Sequence, residues 1–274
     1  VSIERALLMT DFYRDHAGEY GSEALKRAHA FMYLLENKEI CISEGELIVG
    51  ERGPAPKATP TYPEICTHTL KDLDILSTRE KVSFSVDDET RQLQSEEIIP
   101  FWKGLSMRDL IFERMTDEWK DAYGAGIFTE FQEQRAPGHT VLDDKIYRKG
   151  LGGLRSDIAD SIAARRNSGE GDGPGIEQLE AMDVAARALI SYAARHAEAL
   201  DLLASSERDP ARRDELEQMA GICRRVPEKP PETFWEALQS YWFVHLGVIC
   251  ELNTWDSFNP GRLDQHLLPF YRKG

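Results

Sequence analysis

Two short stretches of this chain carry residue types suited to acid–base chemistry. In Phe131–Gln132–Glu133–Gln134–Arg135–Ala136–Pro137–Gly138–His139–Thr140 the Pro-Gly pair forces a turn, which leaves His139 exposed or lining a cleft. An imidazole with an ordinary pKa of about 6.5 moves protons at neutral pH. The second stretch, WDSFNPGRLDQ at 255–265, ends a long apolar helix pattern and sets Asp256, Ser257, Asn259 and Arg262 at the end of an element. Each also has an ordinary local reading. His139 is then a turn histidine capped by Thr140 or by backbone, and Asp256 caps the next helix after the turn Asn259–Pro260–Gly261.

A third stretch, the proline-rich run ERGPAPKATPTYPE at 51–64, offers only Glu51, Lys57 and Glu64 for acid–base work, and a buttress between layers is its simplest role. His245 lies on an apolar helix face, where a histidine is usually a hydrogen-bonded core residue. There is no HExxH, no phosphate-binding Gly-Lys-Ser/Thr loop and no GxSxG elbow, so hydrolase and nucleotide-transfer chemistry has no anchor. The four cysteines, Cys41, Cys66, Cys223 and Cys250, form no CxxC pair, which argues against a zinc site or a disulfide framework.

Helices must position these residues. Stripes at 3–10 and 24–35 predict two, followed by two β-rich pieces at 40–42 and 46–49 that read as a hairpin. Helical patterns return at 67–76, 95–103 and 106–120, the last with Ser106 as N-cap and Asp109 in the capping-box position. Residues 121–140 look irregular, 141–165 helical with an interruption near Gly150–Gly153, and 167–175 a surface loop. Three helices then follow: an alanine-rich one over 176–206, one over 210–223, and one from about 231 to 252. The apolar face of the last is expected to hold Phe234, Leu238, Tyr241, Trp242, His245, Val248 and Ile249.

The 274 residues can bury a substantial core, and 41% apolar with 30% charged residues is ordinary for a soluble globular protein. A net charge of −15 argues against nucleic-acid binding. No signal peptide is visible at the start, and no apolar run approaches the roughly 20 residues that span a bilayer. No membrane partner and a cytoplasmic location are therefore expected.

Taken together, ERGPAPKATPTYPE (51–64) with the hairpin before it, FQEQRAPGHTVLD (131–143), FWEALQSYWFVHLGVICELN (234–253) and WDSFNPGRLDQHLLPFY (255–271) resemble the N-terminal part of the glycyl radical enzymes related to pyruvate formate-lyase. The resemblance implies the fold class: mainly α with a few short strands, forming the N-terminal part of a β/α barrel with its outer helices. It also implies one pyruvate formate-lyase-type domain over 1–274 that is incomplete. Within the family the sequence is most similar to the branch of radical dehydratases acting on trans-4-hydroxy-L-proline, with the glycerol, propanediol and choline branches sharing the general pattern.

In the hydroxyproline branch an aromatic residue and a histidine eight positions later face the substrate, and Phe131 and His139 stand at that spacing. The substrate-side aspartate corresponds to Asp256, with Ser257 one residue away as the alternative. Hydroxide leaves poorly from a substrate radical, so a positioned acid lowers that barrier. The implied roles are His139 as the group at the departing hydroxyl, Asp256 orienting it, and Phe131 against the ring excluding water.

The family also stores a radical on a C-terminal glycine, installed by an S-adenosylmethionine-dependent activating enzyme, and relays it through a cysteine loop. Neither motif is in this sequence: Cys250–Glu251 is embedded in a helix pattern, and Arg225–Val226 is followed by Pro227–Glu228. The expectation is thus an N-terminal fragment of an anaerobic lyase that is inactive alone, has no cofactor of its own, and comes from an enzyme that forms homodimers and takes a small-molecule substrate. The contrasting reading is an inert helical binding module on the same scaffold.

Overall fold

The computed structural model describes residues 1–127, 142–169, 173–252 and 261–273. The first two stripes become α1 (Glu4–Asp15) and α2 (Glu23–Asn37), and Ser22 caps the latter by accepting from the Leu25 amide. A Thr69–Asp72 capping box starts α3 (Leu70–Thr78). Further on, α4 (Asp88–Leu93) runs through a π-helical turn at Gln94–Ile98 into α5 (Ile99–Trp102).

The single helix expected over 106–120 is two, α6 (Met107–Arg114) and α7 (Asp117–Gly124). Met115 leaves the helical conformation, and the Thr116 side chain starts a new N-terminus by accepting from the Trp119 amide. Ser106 caps α6 as expected. Asp109 completes no box there; its carboxylate accepts from the Gly104 amide instead.

Next come α8 (Lys145–Arg148) and α9 (Gly150–Asn167). They break at Gly150, whose φ of +65° places it in the left-handed region and whose added Cβ would lie 2.4 Å from the Glu228 carbonyl oxygen. The chain continues through α10 (Pro174–Ser206), α11 (Pro210–Arg225), α12 (Phe234–Glu251) and α13 (Leu263–Tyr271).

The expected hairpin does not form. Among the described residues there is no strand, only an isolated parallel bridge between Ser2 and Pro60. The backbone of 46–51, bent at Leu47 and Ile48, pairs with side chains of the helices and of Lys38. Gln239 accepts from the Val49 amide and donates to its carbonyl, both at 2.9 Å. Trp235 and Trp242 donate to the Leu47 and Gly50 carbonyls, and Lys38 and Tyr192 to that of Glu51. Backbone polar groups that leave water need partners, and here α10 and α12 provide what a second strand would have supplied. Of Ile40–Ile42 and Leu47–Val49 only Val49 is buried, and the sequence pattern does not distinguish an irregular segment packed on helices from a paired strand.

Helix α10 is the spine. Its buried residues Leu189, Tyr192, Ala193, Ala197 and Leu200 pack with Phe31 and Leu35 of α2, Leu216 and Met219 of α11, and Phe243 and Leu246 of α12. Each fully buried large apolar side chain contributes about 1.5–3 kcal/mol. The other central element is α12, which also places Cys250 in a second cluster with Met9, Phe12 and Trp102, and Val244 in a third with Tyr147, Leu267 and Phe270.

The buried stripe of α12 differs from the expected one. It runs through Ala237, Ser240, Phe243, Val244, Gly247 and Cys250, while Phe234, Leu238, Tyr241, Trp242, His245 and Val248 are half-buried and only Ile249 of the expected face is buried. No charge interrupts this helix between Glu236 and Glu251, so its apolar periodicity has no polar side to orient it. Small residues decide the orientation instead: a Cβ on Gly247 would come within 2.6 Å of Leu189. Half-buried His245 stacks with Tyr241 and Trp242 at centroid distances of 5.8 and 5.1 Å.

A second histidine, His196 of α10, is fully buried between Tyr192 and Phe243. Its Nδ1 donates to the Tyr192 carbonyl at 2.8 Å, so the proton sits on Nδ1 and the buried Nε2 is bare. Burial pushes its pKa down to about 4, against the helping effect of that hydrogen bond. Because the folded pKa lies below the unfolded one, stability is whole above pH of about 6.5 and is lost as pH falls toward 4. Urea unfolding at pH 7.5 and 4.5 is expected to show about 2–3 kcal/mol more acid loss in the parent than in His196→Gln. Equal losses would show that His196 does not titrate in this way.

Candidate functional site

The end of α12 leads directly into residues 253–260, and the first 64 residues of the chain hold it in place. Carbonyls in the last turn of a helix lack intrahelical donors. Here Tyr62 donates its hydroxyl to the Ile249 carbonyl, Arg5 Nε donates to that of Cys250 at 2.6 Å, and Arg27 donates to that of Glu251 at 3.0 Å. Arg5 lies 4.0 Å over the Tyr62 ring and grips the Glu64 carboxylate with two nitrogens at 2.5 and 3.1 Å. Arg27 bridges Glu64, at 3.1 Å, and the Glu251 carboxylate.

The result is a cluster of two arginines and two glutamates at the negative end of a helix dipole. Burial alone would push the Glu64 carboxyl up, but Arg5 and Arg27 together overcome it and hold the group at about 2. The proline run thus acts as a buttress, with Thr61, Tyr62 and Glu64 as its contact points.

The other flanks also converge. Residues 142–144, which follow 128–141, form a turn in which Leu142 and Asp143 take positive φ values of 62° and 47°. Such conformations cost non-glycine residues about 1–2 kcal/mol each, so neighbouring contacts must hold them. Asp143 pairs with His266 of α13 at 3.2 Å, and Tyr147 of α8 packs against His266 and Phe270. The segment after 128–141 is thereby tied to the segment after 253–260.

Between α2, α9, α10 and α12 lies a cavity of about 750 Å³, lined mostly by apolar side chains. Leu142 and Leu252, the described residues adjoining 128–141 and 253–260, both line it, as do Arg27 and Glu251 at its polar end. Met182 of α10 is half exposed because it faces this space. Glu251 Oε2 is buried there without a hydrogen bond, and Lys145, Asp157, Ser161 and Gln178 are the other polar residues lining the cavity besides Arg27.

Phe131, His139, Asp256 and Ser257 all lie outside the described residues. Sequence patterns did not bring forward Arg5, Arg27 or Glu251. The available signal was a charge set inside an apolar stripe, as with Arg5 before Ala6 and Arg27 before Ala28, or at the end of an apolar helix, as with Glu251. Among the described residues no group of three or more His, Cys, Asp or Glu is arranged to hold a metal, and no helix is long and apolar enough to cross a membrane. Cys223 and Cys250 are buried in helices, with burial pushing the former up to about 12 and raising the latter. Cys41 and Cys66 are half-buried, and none of the four lines the cavity.

A family model described as PFL-like, pyruvate formate lyase-like, matches residues 1–274. The chain belongs to the pyruvate formate lyase-like family. Relatives in this family include the trans-4-hydroxy-L-proline dehydratase of Clostridioides difficile, to which the chain is 48% identical over 274 residues, covering 100% of this chain and 35% of that protein. The probable dehydratase YbiW of Escherichia coli K12 is 32% identical, with 100% and 34% covered.

The fold agrees with that of the C. difficile hydroxyproline dehydratase crystallised with trans-4-hydroxy-L-proline bound. The TM-score is 0.91 at 47% identity, covering 99% of this chain and 34% of that one. The chain therefore spans about a third of the length of the relatives it matches. Its mostly helical architecture is that of the matching region of this pyruvate formate lyase-like enzyme.

Proposed function

We propose that this chain is the N-terminal third of a glycyl radical C–O lyase that removes water from trans-4-hydroxy-L-proline to give a pyrroline carboxylate. The supporting observation is the 48% identity to a hydroxyproline dehydratase over the full 274 residues, against 32% for the dehydratase YbiW. In this reading 1–274 is one incomplete domain whose helices wrap one side of a β/α barrel, and the remaining polypeptide supplies the cysteine and glycine of the radical. The radical's contribution is removal of a hydrogen atom next to the carbon bearing the hydroxyl.

This chain's residues would then handle the leaving group. His139 protonates the departing hydroxyl so that it leaves as water, Asp256 (or its neighbour Ser257) orients the imidazole, and Phe131 packs on the ring and keeps water out. The convergence of the flanks at Asp143–His266 and around Leu142 and Leu252 is consistent with one shared pocket wall. The enzyme would act as a homodimer in the cytoplasm, under anaerobic conditions.

The test uses the complete gene product, with its radical installed anaerobically by an activating enzyme and S-adenosylmethionine, and offered trans-4-hydroxy-L-proline, glycerol and propanediol separately. A pyrroline carboxylate from the first is expected. Turnover of a diol with none of hydroxyproline would replace this reading, and the 274-residue chain alone is expected to give no product.

A further inference from the structure

We propose that the groove between α2, α9 and α10 is a binding site for a phosphate group, free or as the monoester of a small molecule, held between Arg155 and Arg187. Leu25 and His29 of α2, Arg155 and Ser156 of α9, and Asp183 and Arg187 of α10 line this groove, which offers about 680 Å³. Asp183 holds both arginines by their inner edges. One carboxylate oxygen accepts from Arg155 Nε at 2.7 Å, and the other lies 3.1 Å from Arg187 Nε. The second contact lacks hydrogen-bond geometry, so the buried Arg187 Nε is attracted without being satisfied. The terminal nitrogens of both guanidiniums make no hydrogen bond to any described residue.

The charges leave a surplus. One carboxylate serves two guanidiniums, and Glu180, the other acid in the groove, is already paired with Arg166 at 3.2 Å. Two cations drawn onto one partner repel each other, and half-exposed ion pairs gain little to offset that. A second anion on the open side would neutralise the surplus and use the remaining N–H groups. The whole chain carries −15, but exposed charges more than about 8 Å away are screened at physiological salt, so the local surplus governs.

His29 adds an uncharged donor. Its ring stacks on Tyr20 with centroids 4.1 Å apart and 16° between planes, which fixes its direction, and it hydrogen-bonds to no described residue. Burial, and after it the Arg187 charge, pushes its pKa down, so the imidazole is neutral at neutral pH with one N–H to offer. Phosphate suits this set better than carboxylate. One planar fork fills the two oxygens of a carboxylate, whereas a phosphate monoester brings a charge of about −1.5 to −2 and three acceptor oxygens, enough for two forks and an imidazole. Apolar side chains of Leu25, Ile158, Ile162 and Val184 complete the lining and would meet the organic part of a monoester.

The test is titration calorimetry on the complete gene product in about 0.15 M salt, with inorganic phosphate, phenyl phosphate and acetate as probes. Saturable binding of phosphate at one site per chain is expected, with acetate weaker by about 10-fold or more. Tighter binding of phenyl phosphate assigns the ligand to the monoesters, and equal or weaker binding assigns it to free phosphate. Arg155→Gln and Arg187→Gln are each expected to weaken phosphate by about 10-fold or more, the usual loss when a charged hydrogen-bonding partner is removed. Both side chains are half-exposed, so thermal midpoints should stay close to the parent. Arg224→Gln, at an exposed pair with Asp201, should bind as the parent does. Failure of phosphate to saturate, acetate binding as tightly as phosphate, or parental affinity in both groove variants would overturn the inference. No part of this test depends on the radical, so its result stands whether or not hydroxyproline is the substrate.

Discussion

Replacing Arg5 by methionine is expected to lower the unfolding free energy of this chain by about 3–5 kcal/mol, the usual cost of leaving a buried charge without its partner. Arg5 is 2% exposed and is held by five hydrogen bonds to Cys250, Thr61, Glu64 and Glu251. Methionine fills much of the same volume, so the loss reports charge and hydrogen bonding more than an empty space.

The pH dependence should change with it. In the parent, Glu64 has a folded pKa of about 2 below an unfolded value of 4.5, so its contribution is present above pH 4.5 and disappears as pH falls toward 2. Without Arg5, burial, the largest influence on this carboxyl, raises the folded pKa, and the loss between pH 4.5 and 2 shrinks or reverses sign. Urea unfolding at several pH values measures both effects. The double variant Arg5→Met with Glu64→Leu is expected to recover part of the loss, because it removes the stranded charge. It should not recover all of it, because the Cys250 and Thr61 carbonyls remain without their donors. A single variant as stable as the parent would show that the cluster contributes nothing net.

His139→Gln carries the largest expected effect on turnover under the proposed elimination. General acid assistance is worth about 100- to 10,000-fold, and glutamine keeps the size and a hydrogen-bond donor but cannot deliver a proton. The complete radical-bearing enzyme is therefore expected to lose kcat in that range with little change in KM, since an interaction made mainly in the transition state is the one removed. Asp256→Asn, which leaves the acid in place but alters its orienting partner, is expected to lose less. Radical content measured in the same samples separates a chemical defect from a loading defect. A His139→Gln enzyme within about twofold of the parent would remove this residue from the acid role and shift attention to the other polar groups of the pocket.

Much of this helical architecture was legible because caps and breaks are local chemistry. Ser106 and the break near Gly150–Gly153 act within a few residues of where they stand, whereas Pro174 and Gly175, expected in the surface loop over 167–175, form the first turn of α10. The hairpin failed for the opposite reason. Ile40–Ile42 and Leu47–Val49 have the composition of strands, but a strand exists only where a second one lies beside it. In this fold Gln239, Trp235 and Trp242 occupy that place. The buried face of α12 was misjudged because a helix apolar on every side has no moment to orient it, and the contact of Gly247 with Leu189 is visible only once α10 is in position.

The sequence by itself determined the family, the helical class and the residue types on offer for chemistry, whereas the roles of His139, Asp256 and Phe131 are what the family resemblance implies. Only the tertiary structure decided that residues near the start of the chain govern the end of α12. Arg5 and Arg27 stand 59 and 37 residues from Glu64, and all three stand more than 180 from Glu251. Motif and periodicity report on neighbours along the chain, whereas an ionic cluster is made by elements that folding brings together, and its members carry no spacing by which to find one another.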